Sequence, residues 1–256
     1  MLKAILVSRQ GLPTSSQLIK KIKTKLEIVE SDQKADFILV LGGDGTMLTA
    51  IKKYYPLHIP FVGFNFGHLG FLLNEAKEDV VDEIISGEFD TVENRLLKAE
   101  LFSDNKKLRT TLAFNDFYFE RATPQTCRIE ISVNDKIRFE KLVCDGAIVS
   151  TPAGSTSYNA SAGGKILPID SRHLVLTGIC PALFHNWRSA QLSHNSKVTL
   201  TALDTERRPV AFMADGQQIN NVTKAQISYS TQKVRLLFAH SQDFREKFLR
   251  LQFSTL

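Results

Sequence analysis

The chain has 256 residues, 43% of them hydrophobic and 23% charged, which is ordinary globular usage and excludes a disordered tail or a low-complexity linker. No window approaches the roughly 18 unbroken apolar residues of a membrane span, and no fixed-period repeat occurs. The formal net charge of +5 favours anionic partners without choosing among them, and the length fits one large domain or two modest ones at about 100 to 200 residues each.

The opening MLKAILV reads as a first strand, its apolar run being short for a signal peptide, so a cytoplasmic location is expected. Residues 15–26 form an amphipathic helix pattern with Leu18, Ile19, Ile22 and Leu26 on one face. Lys20, Lys21, Lys23 and Lys25 then make its solvated side, a reading preferred over a nucleic-acid patch. Apolar runs at 4–7, 37–41 and 61–64 suit strands buried on both faces, as in a parallel sheet, with further helices expected at 46–55 and 78–85. Near Arg95 the pattern changes to period-2 alternation. LLKAELF, LRTTLAFNDFYFE, CRIEISV and KIRFEKLV follow, with a hairpin at Asn134-Asp135. Residues 171–193 read loosely as strand then loop. KVTLTAL, RPVAFMA, AQISYS and KVRLLFA continue the antiparallel style, and 242–251 is a closing helix. The fold class expected is an α/β N-terminal domain with a parallel sheet plus a mainly antiparallel β C-terminal domain. Its bounds are 1–95, completed by a C-terminal helix at 241–256, and 96–240.

Cys127, Cys144 and Cys180 form no CxxC pair, and their odd number argues against a disulfide framework. His58, His68, His173, His185, His194 and His240 are scattered, so no structural zinc is expected.

Three stretches carry the chemistry. In FILVLGGDGTML (37–48) a buried strand runs into Gly42, Gly43, Asp44 and Gly45, and Thr46 opens a helix. Backbone N–H groups there suit phosphate, although the turn is neither a Walker loop nor GxGxxG. A fixed carboxylate in a phosphate cradle repels its ligand by about 4 kcal/mol at contact distance for an effective dielectric near 20. Three readings of Asp44 follow: a partner for a cation, an acceptor for the proton of an attacking hydroxyl, or merely a helix N-cap. In FVGFNFGHLGFL (61–72), Asn65 and Phe71 fall beside that turn if successive strands are neighbours. Phe71 either flanks a base or ribose or fills the core. In CDGAIVSTPAGSTSYNASAGG (144–164), Ser155, Thr156, Ser157, Tyr158 and Ser161 give a hydroxyl-rich loop suited to a ribose-rich ligand. Ser155 has no nucleophile elbow around it. Asp145 is either a hydrogen-bond acceptor for ribose or carboxamide, or a turn carboxylate.

In this order the stretches resemble the NAD kinase family over most of the chain. Gly42-Gly43-Asp44-Gly45-Thr46 is similar to the family's GGDGT motif, Asn115-Asp116 to its Asn-Glu or Asn-Asp motif, and Asp145-Gly146 with STPAGSTSYNASAGG to its long substrate loop. The resemblance implies phosphoryl transfer from ATP to the 2′-hydroxyl of the adenosine ribose of NAD, with Mg2+ as cofactor. It makes Asp44 the catalytic base and places Gly45 and Phe71 close to NAD. Asn115 and Asp116 fall at its adenine or ribose, and Asp145 at its nicotinamide. Ala153, Thr156, Ser157, Tyr158, Asn159 and Ser161 line the pocket, with Gln217 of Asp215-Gly216-Gln217 touching NAD. Gly42, Gly43, Gly45 and Thr46 are assigned to the triphosphate, and no metal site is fixed by the protein. A homodimer or homotetramer with the NAD site near a subunit boundary is implied, with no nucleic-acid or membrane partner. Departures are Ser157 for the usual Ala, Asp116 for Glu, and Val143 where some relatives carry a basic residue. The alternatives are a lipid or sugar kinase with the same GGDGT turn, or a non-catalytic NAD/NADP-binding regulator.

Overall fold

A computed structural model describes residues 1–12, 17–30, 35–67, 69–182 and 187–253. The chain divides into two units, Met1–Asn94 with the segment from Lys233 onward, and Arg95–Gln232.

In the first unit the apolar runs become strands β1 (Leu2–Ser8), β2 (Leu26–Ile28), β3 (Phe37–Gly42), β4 (Phe61–Asn65) and β5 (Asn74–Glu75). They pair in parallel in the order β2-β1-β3-β4, with β5 and the segment Leu236–Leu237 also pairing β4. Every residue of β3 is buried, as a strand covered on both faces requires. Helices α1 (Gln17–Lys25), α2 (Asp44–Tyr54) and α3 (Glu78–Ser86) lie between the strands in sequence, and a C-terminal helix spans Phe244–Phe253. The α1 helix buries Leu18, Ile19 and Ile22. Each such side chain contributes roughly 1.5–3 kcal/mol, so packing sustains a helix too short to persist alone.

Several boundaries differ from expectation. Leu26 leaves the helix and starts β2, a strand whose three residues carry too little periodicity to stand out; residues 13–16 lie outside the described part of the chain. The α2 helix starts at Asp44, with Gly43 as its N-cap and no side-chain cap bond. The N-cap reading of Asp44 is therefore corrected.

Asn74, fully buried, stitches the sheet. Its Nδ2 donates to Gly63 O at 3.2 Å and Leu237 O at 2.9 Å, while its Oδ1 accepts from Ala239 N at 2.9 Å. Such complete pairing is what lets an amide replace an apolar residue in a core.

The second unit is antiparallel. Strands β6 (Phe89–Ser103), β7 (Lys106–Ala113), β8 (Asp116–Arg121), β9 (Cys127–Val133), β10 (Lys136–Cys144) and β11 (Gly146–Ser150) come first. Then follow β12 (His173–Ile179), β13 (Ser189–Ser193), β14 (Val198–Leu203), β15 (Val210–Ala214), β16 (Gln217–Ile219) and β17 (Lys224–Ala239). One sheet has the order β13-β12-β11-β8-β15-β16; β10-β9-β14-β17 and the pair β6-β7 build the other. LRTTLAFNDFYFE is two strands in different sheets, broken at Phe114-Asn115. AQISYS and KVRLLFA are one strand, β17, antiparallel to β14 at Lys224–Ile227 but parallel to β4 at Leu236–Leu237. The expected antiparallel style ends within it.

The β9-β10 hairpin forms at Asn134-Asp135, with φ of +52° and +60°, the left-handed pair of a type I′ turn. At its far end Cys127 and Cys144 stand opposite as free thiols, Sγ to Sγ 3.8 Å. Phe117, Phe119 and Phe212 pack at the centre of this unit. Trp187 lies against Phe139 at 5.0 Å between ring centroids.

Candidate active site

In the first unit β3 delivers Gly42 and Gly43 to the start of α2. Thr46 and Met47 N–H turn back to Gly43 O at 2.9 and 3.1 Å. Gly42 is buried, and a Cβ there would fall 2.4 Å from Thr46 Oγ1. Its missing side chain thus serves helix-on-strand packing. At Gly43 and Gly45 an added Cβ would meet nothing within 4 Å among the described residues, and both sit at a helix N-terminus, where an anion is stabilised.

Asp44 faces the loop after β4. Its Oδ2 accepts from Phe71 N at 3.0 Å and its Oδ1 from Leu72 N at 2.9 Å. The sequence placed Asn65 and Phe71 beside this turn, and the structure puts the Phe71 backbone on the carboxylate itself. Two amide bonds fix the carboxylate's plane, and each oxygen keeps further lone-pair capacity. Gly70 makes the loop possible, with φ +64° and Asn65 Cγ 2.3 Å from where a Cβ would be. The ring of Phe71 is half-buried. His68 lies outside the described residues.

In the second unit Asn115 and Asp116 form the junction between β7 and β8. Asp215, from the β15-β16 turn about a hundred residues away, accepts from Phe114 N at 2.7 Å, Asn115 N at 2.7 Å and Asp116 N at 3.2 Å. Its own φ of +46° and the +73° of Gly216 make that turn, which leaves Gln217 exposed. Asn115 is 7% exposed and its Oδ1 has no hydrogen-bond partner among the described residues. A buried acceptor left unpaired costs about 1–3 kcal/mol, a deficit that a donor such as an exocyclic amine would remove. Asp116 is 3% exposed. Burial, reinforced by the neighbouring Asp215 charge, pushes its carboxyl up to about 8, which favours the protonated, O–H-donating form.

The loop after β11 packs on this junction. Gly154 approaches so closely that a Cβ would sit 2.4 Å from Asn115 O. Ser155 is fully buried, donating to Pro152 O at 2.6 Å and accepting from Leu167 N at 2.9 Å, so it braces the loop. Asn159 is also fully buried; its amide donates to Ser155 O and Lys165 O, both at 3.0 Å, and accepts from Thr177 Oγ1 at 2.7 Å. Both its N–H donors and one lone pair of its oxygen are used inside the protein, so in this structure Asn159 braces the loop. Ala153 is buried, Thr156 is partly covered, and Ser157 and Ser161 are exposed. The Tyr158 ring meets that of Tyr118 edge-on at 4.8 Å, and burial pushes its hydroxyl pKa up, helped by nearby Glu120.

Asp145, Tyr158 and Ser161 share a cavity of about 520 Å³ with Glu120, Arg121 and Cys180. Arg121 Nε lies 2.8 Å from Asp145 Oδ1, an ion pair that strand spacing alone did not announce. Nor did any local signal mark Asp215 as the brace of Asn115 and Asp116, beyond the Asp-Gly turn it belongs to.

No group of three His, Cys, Asp or Glu able to hold a metal occurs among the described residues. The residues present do not fit a dedicated metal cage.

A glycine turn that leads from a buried strand's carboxyl end into a helix is an arrangement common to nucleotide-binding α/β folds. Residues 8–89 match the ATP-NAD kinase N-terminal domain and residues 114–237 the ATP-NAD kinase C-terminal domain. The chain is 36% identical to the NAD kinase of Rickettsia bellii over 99% of its own length and 98% of that protein's. It is 37% identical to the NAD kinase of Brucella melitensis over 86% of each. The chain belongs to the NAD kinase family. Its fold matches that of the yeast NADH kinase complexed with NADH, with a TM-score of 0.83, 20% identity, and coverage of 100% of this chain and 89% of that one. It also matches an NAD kinase from Archaeoglobus fulgidus in complex with ATP, with a TM-score of 0.77, 23% identity, and coverage of 98% and 99%. Among the described residues no helix is long and apolar enough to cross a membrane.

Proposed function

We infer that this chain transfers the γ-phosphoryl group of ATP to the 2′-hydroxyl of the adenosine ribose of NAD, giving NADP and ADP. The observation that carries the reading is the Asp44 carboxylate, held by two backbone amides within a glycine turn, in a chain of this family. A pure phosphate-binding turn gains nothing from a fixed negative charge, whereas a transfer to an alcohol needs an acceptor for the alcohol's proton.

In this reading the ribose oxygen forms its bond to the γ-phosphorus as its proton passes to Asp44, and the bond from that phosphorus to the ADP oxygen breaks. Positioning and proton acceptance together lower the barrier; general-base assistance alone is typically worth ~10²–10⁴-fold. Gly43, Gly45 and the first turn of α2 receive the triphosphate. A divalent ion carried in with ATP would neutralise phosphate charge. Asn115 Oδ1 accepts from the adenine amine, the pairing an asparagine amide makes with that base. Asp116, protonated, donates to adenine or ribose. The cavity around Asp145 and Tyr158 takes the nicotinamide end, with Ala153, Thr156, Ser157 and Ser161 along the dinucleotide.

Purified protein with ATP and magnesium, offered in parallel NAD, diacylglycerol and fructose 6-phosphate, tests the assignment. NADP is the product expected, with no phosphorylated lipid or sugar. Transfer to either of the other acceptors in preference to NAD, or binding of NAD with no transfer, would replace this reading by a lipid or sugar kinase or by a regulator.

A further inference from the structure

The C-terminal helix sends one side chain to the loop that grips Asp44. Lys247, half-buried, donates from Nζ to Leu73 O at 2.7 Å and reaches Gly70 O at 3.5 Å. These carbonyls bracket Phe71 and Leu72, whose N–H groups hold the two carboxylate oxygens of Asp44. The loop is therefore fastened at both ends by one ammonium group, while on its inner side Gly70 packs against Asn65. Lysine suits this task because it offers three donors on a long stem and needs no acceptor in return. Burial pulls the Lys247 pKa down, and the charges of Glu75 and Asp44 oppose that shift, which places the amine within electrostatic reach of the carboxylate as well.

We propose that Lys247 is a positioning residue for phosphoryl transfer: by tying Gly70 O and Leu73 O it holds the amides of Phe71 and Leu72 where they aim the Asp44 carboxylate. The inference rests on the reading of Asp44 as the proton acceptor for the NAD ribose. It gives the C-terminal helix a part in catalysis although none of its residues need touch substrate.

The test uses the full chain with Lys247→Met, which keeps stem length and loses the donors, and Lys247→Arg, which restores donors. Amide hydrogen exchange at residues 70–73 is read first, because it needs no activity. Lys247→Met should speed exchange of the Phe71 and Leu72 amides by about tenfold or more, with strand Phe37–Gly42 unchanged, since a local opening releases only its own segment. Its kcat for NAD should fall about 10- to 100-fold while the NAD dissociation constant stays within about threefold, the mark of misplacement rather than lost binding. Lys247→Arg should recover both readouts at least in part. Unchanged exchange in Lys247→Met, or acceleration spread equally through Phe37–Gly42, would overturn the proposal. So would a loss confined to NAD affinity. If the wild-type chain transfers nothing to NAD, the functional reading fails on its own, and the exchange result still decides whether Lys247 holds the loop.

Discussion

Asp116→Asn isolates the cost of burying a carboxyl beside another. The Asp116 carboxyl sits at about 8 in the folded chain against an ordinary 3.8, with burial the larger cause and Asp215 the second. The folded state thus keeps a proton that the unfolded state releases. The stability this contributes is complete below pH of about 4 and is lost as pH rises towards about 8. At about 1.4 kcal/mol per pH unit, the wild type should lose about 3 kcal/mol from this group between pH 5 and 7. Asparagine mimics the protonated acid and does not titrate. Urea unfolding of both proteins at pH 5, 6, 7 and 8 should therefore show the variant gaining on the wild type by about 3 kcal/mol from pH 5 to 7. Parallel stability curves over that range would refute the argument, and so would a variant that falls behind as pH rises.

Three further outcomes follow from the geometry. Asp215→Ala removes the acceptor of three backbone N–H groups and should cost about 3 kcal/mol or more in urea unfolding, since each amide left buried and unpaired costs about 1–3 kcal/mol. Gly154→Ala would drive a Cβ to 2.4 Å from Asn115 O; a loss of about 1–3 kcal/mol in stability is expected, with NAD affinity in calorimetric titration falling as the junction moves. Gly43→Ala meets no atom of the described residues within 4 Å and should unfold within about 1 kcal/mol of wild type. In steady-state kinetics it should nevertheless raise KM for ATP several-fold, because the added methyl stands where the triphosphate is assigned.

Much of the fold could be read from the sequence because its signals are local. The buried runs around Ile38 and Val62 announced a parallel sheet, and Asn134-Asp135 announced a hairpin because Asn and Asp accept the left-handed conformation that its turn requires. The break at Asn115 was hidden because LRTTLAF and DFYFE alternate in the same style; what parts them is Asp215 gripping Phe114, Asn115 and Asp116 from far along the chain. Strand β17 was split into two runs for the reverse reason, since its partner changes from β14 to β4 without any change in its own pattern. At the site, the strand-to-helix glycine turn and its anomalous carboxylate were legible from local sequence. How that carboxylate is held was not, because Phe71 and Leu72 contribute through backbone N–H and Lys247 through a contact spanning 174 residues. That Asn159 turns inward was not legible either, because its partners Ser155, Lys165 and Thr177 are set by the folded loop and the neighbouring strand rather than by local pattern.

The most direct measurement is single-turnover transfer from ATP to NAD by Asp44→Asn, run beside calorimetric titration of NAD. The substitution keeps the shape of the side chain and removes its capacity to take a proton. Transfer should slow by about 10²–10⁴-fold while NAD binds within a few-fold of wild type. A variant that binds NAD and still transfers phosphoryl at close to the wild-type rate would contradict the role given to Asp44.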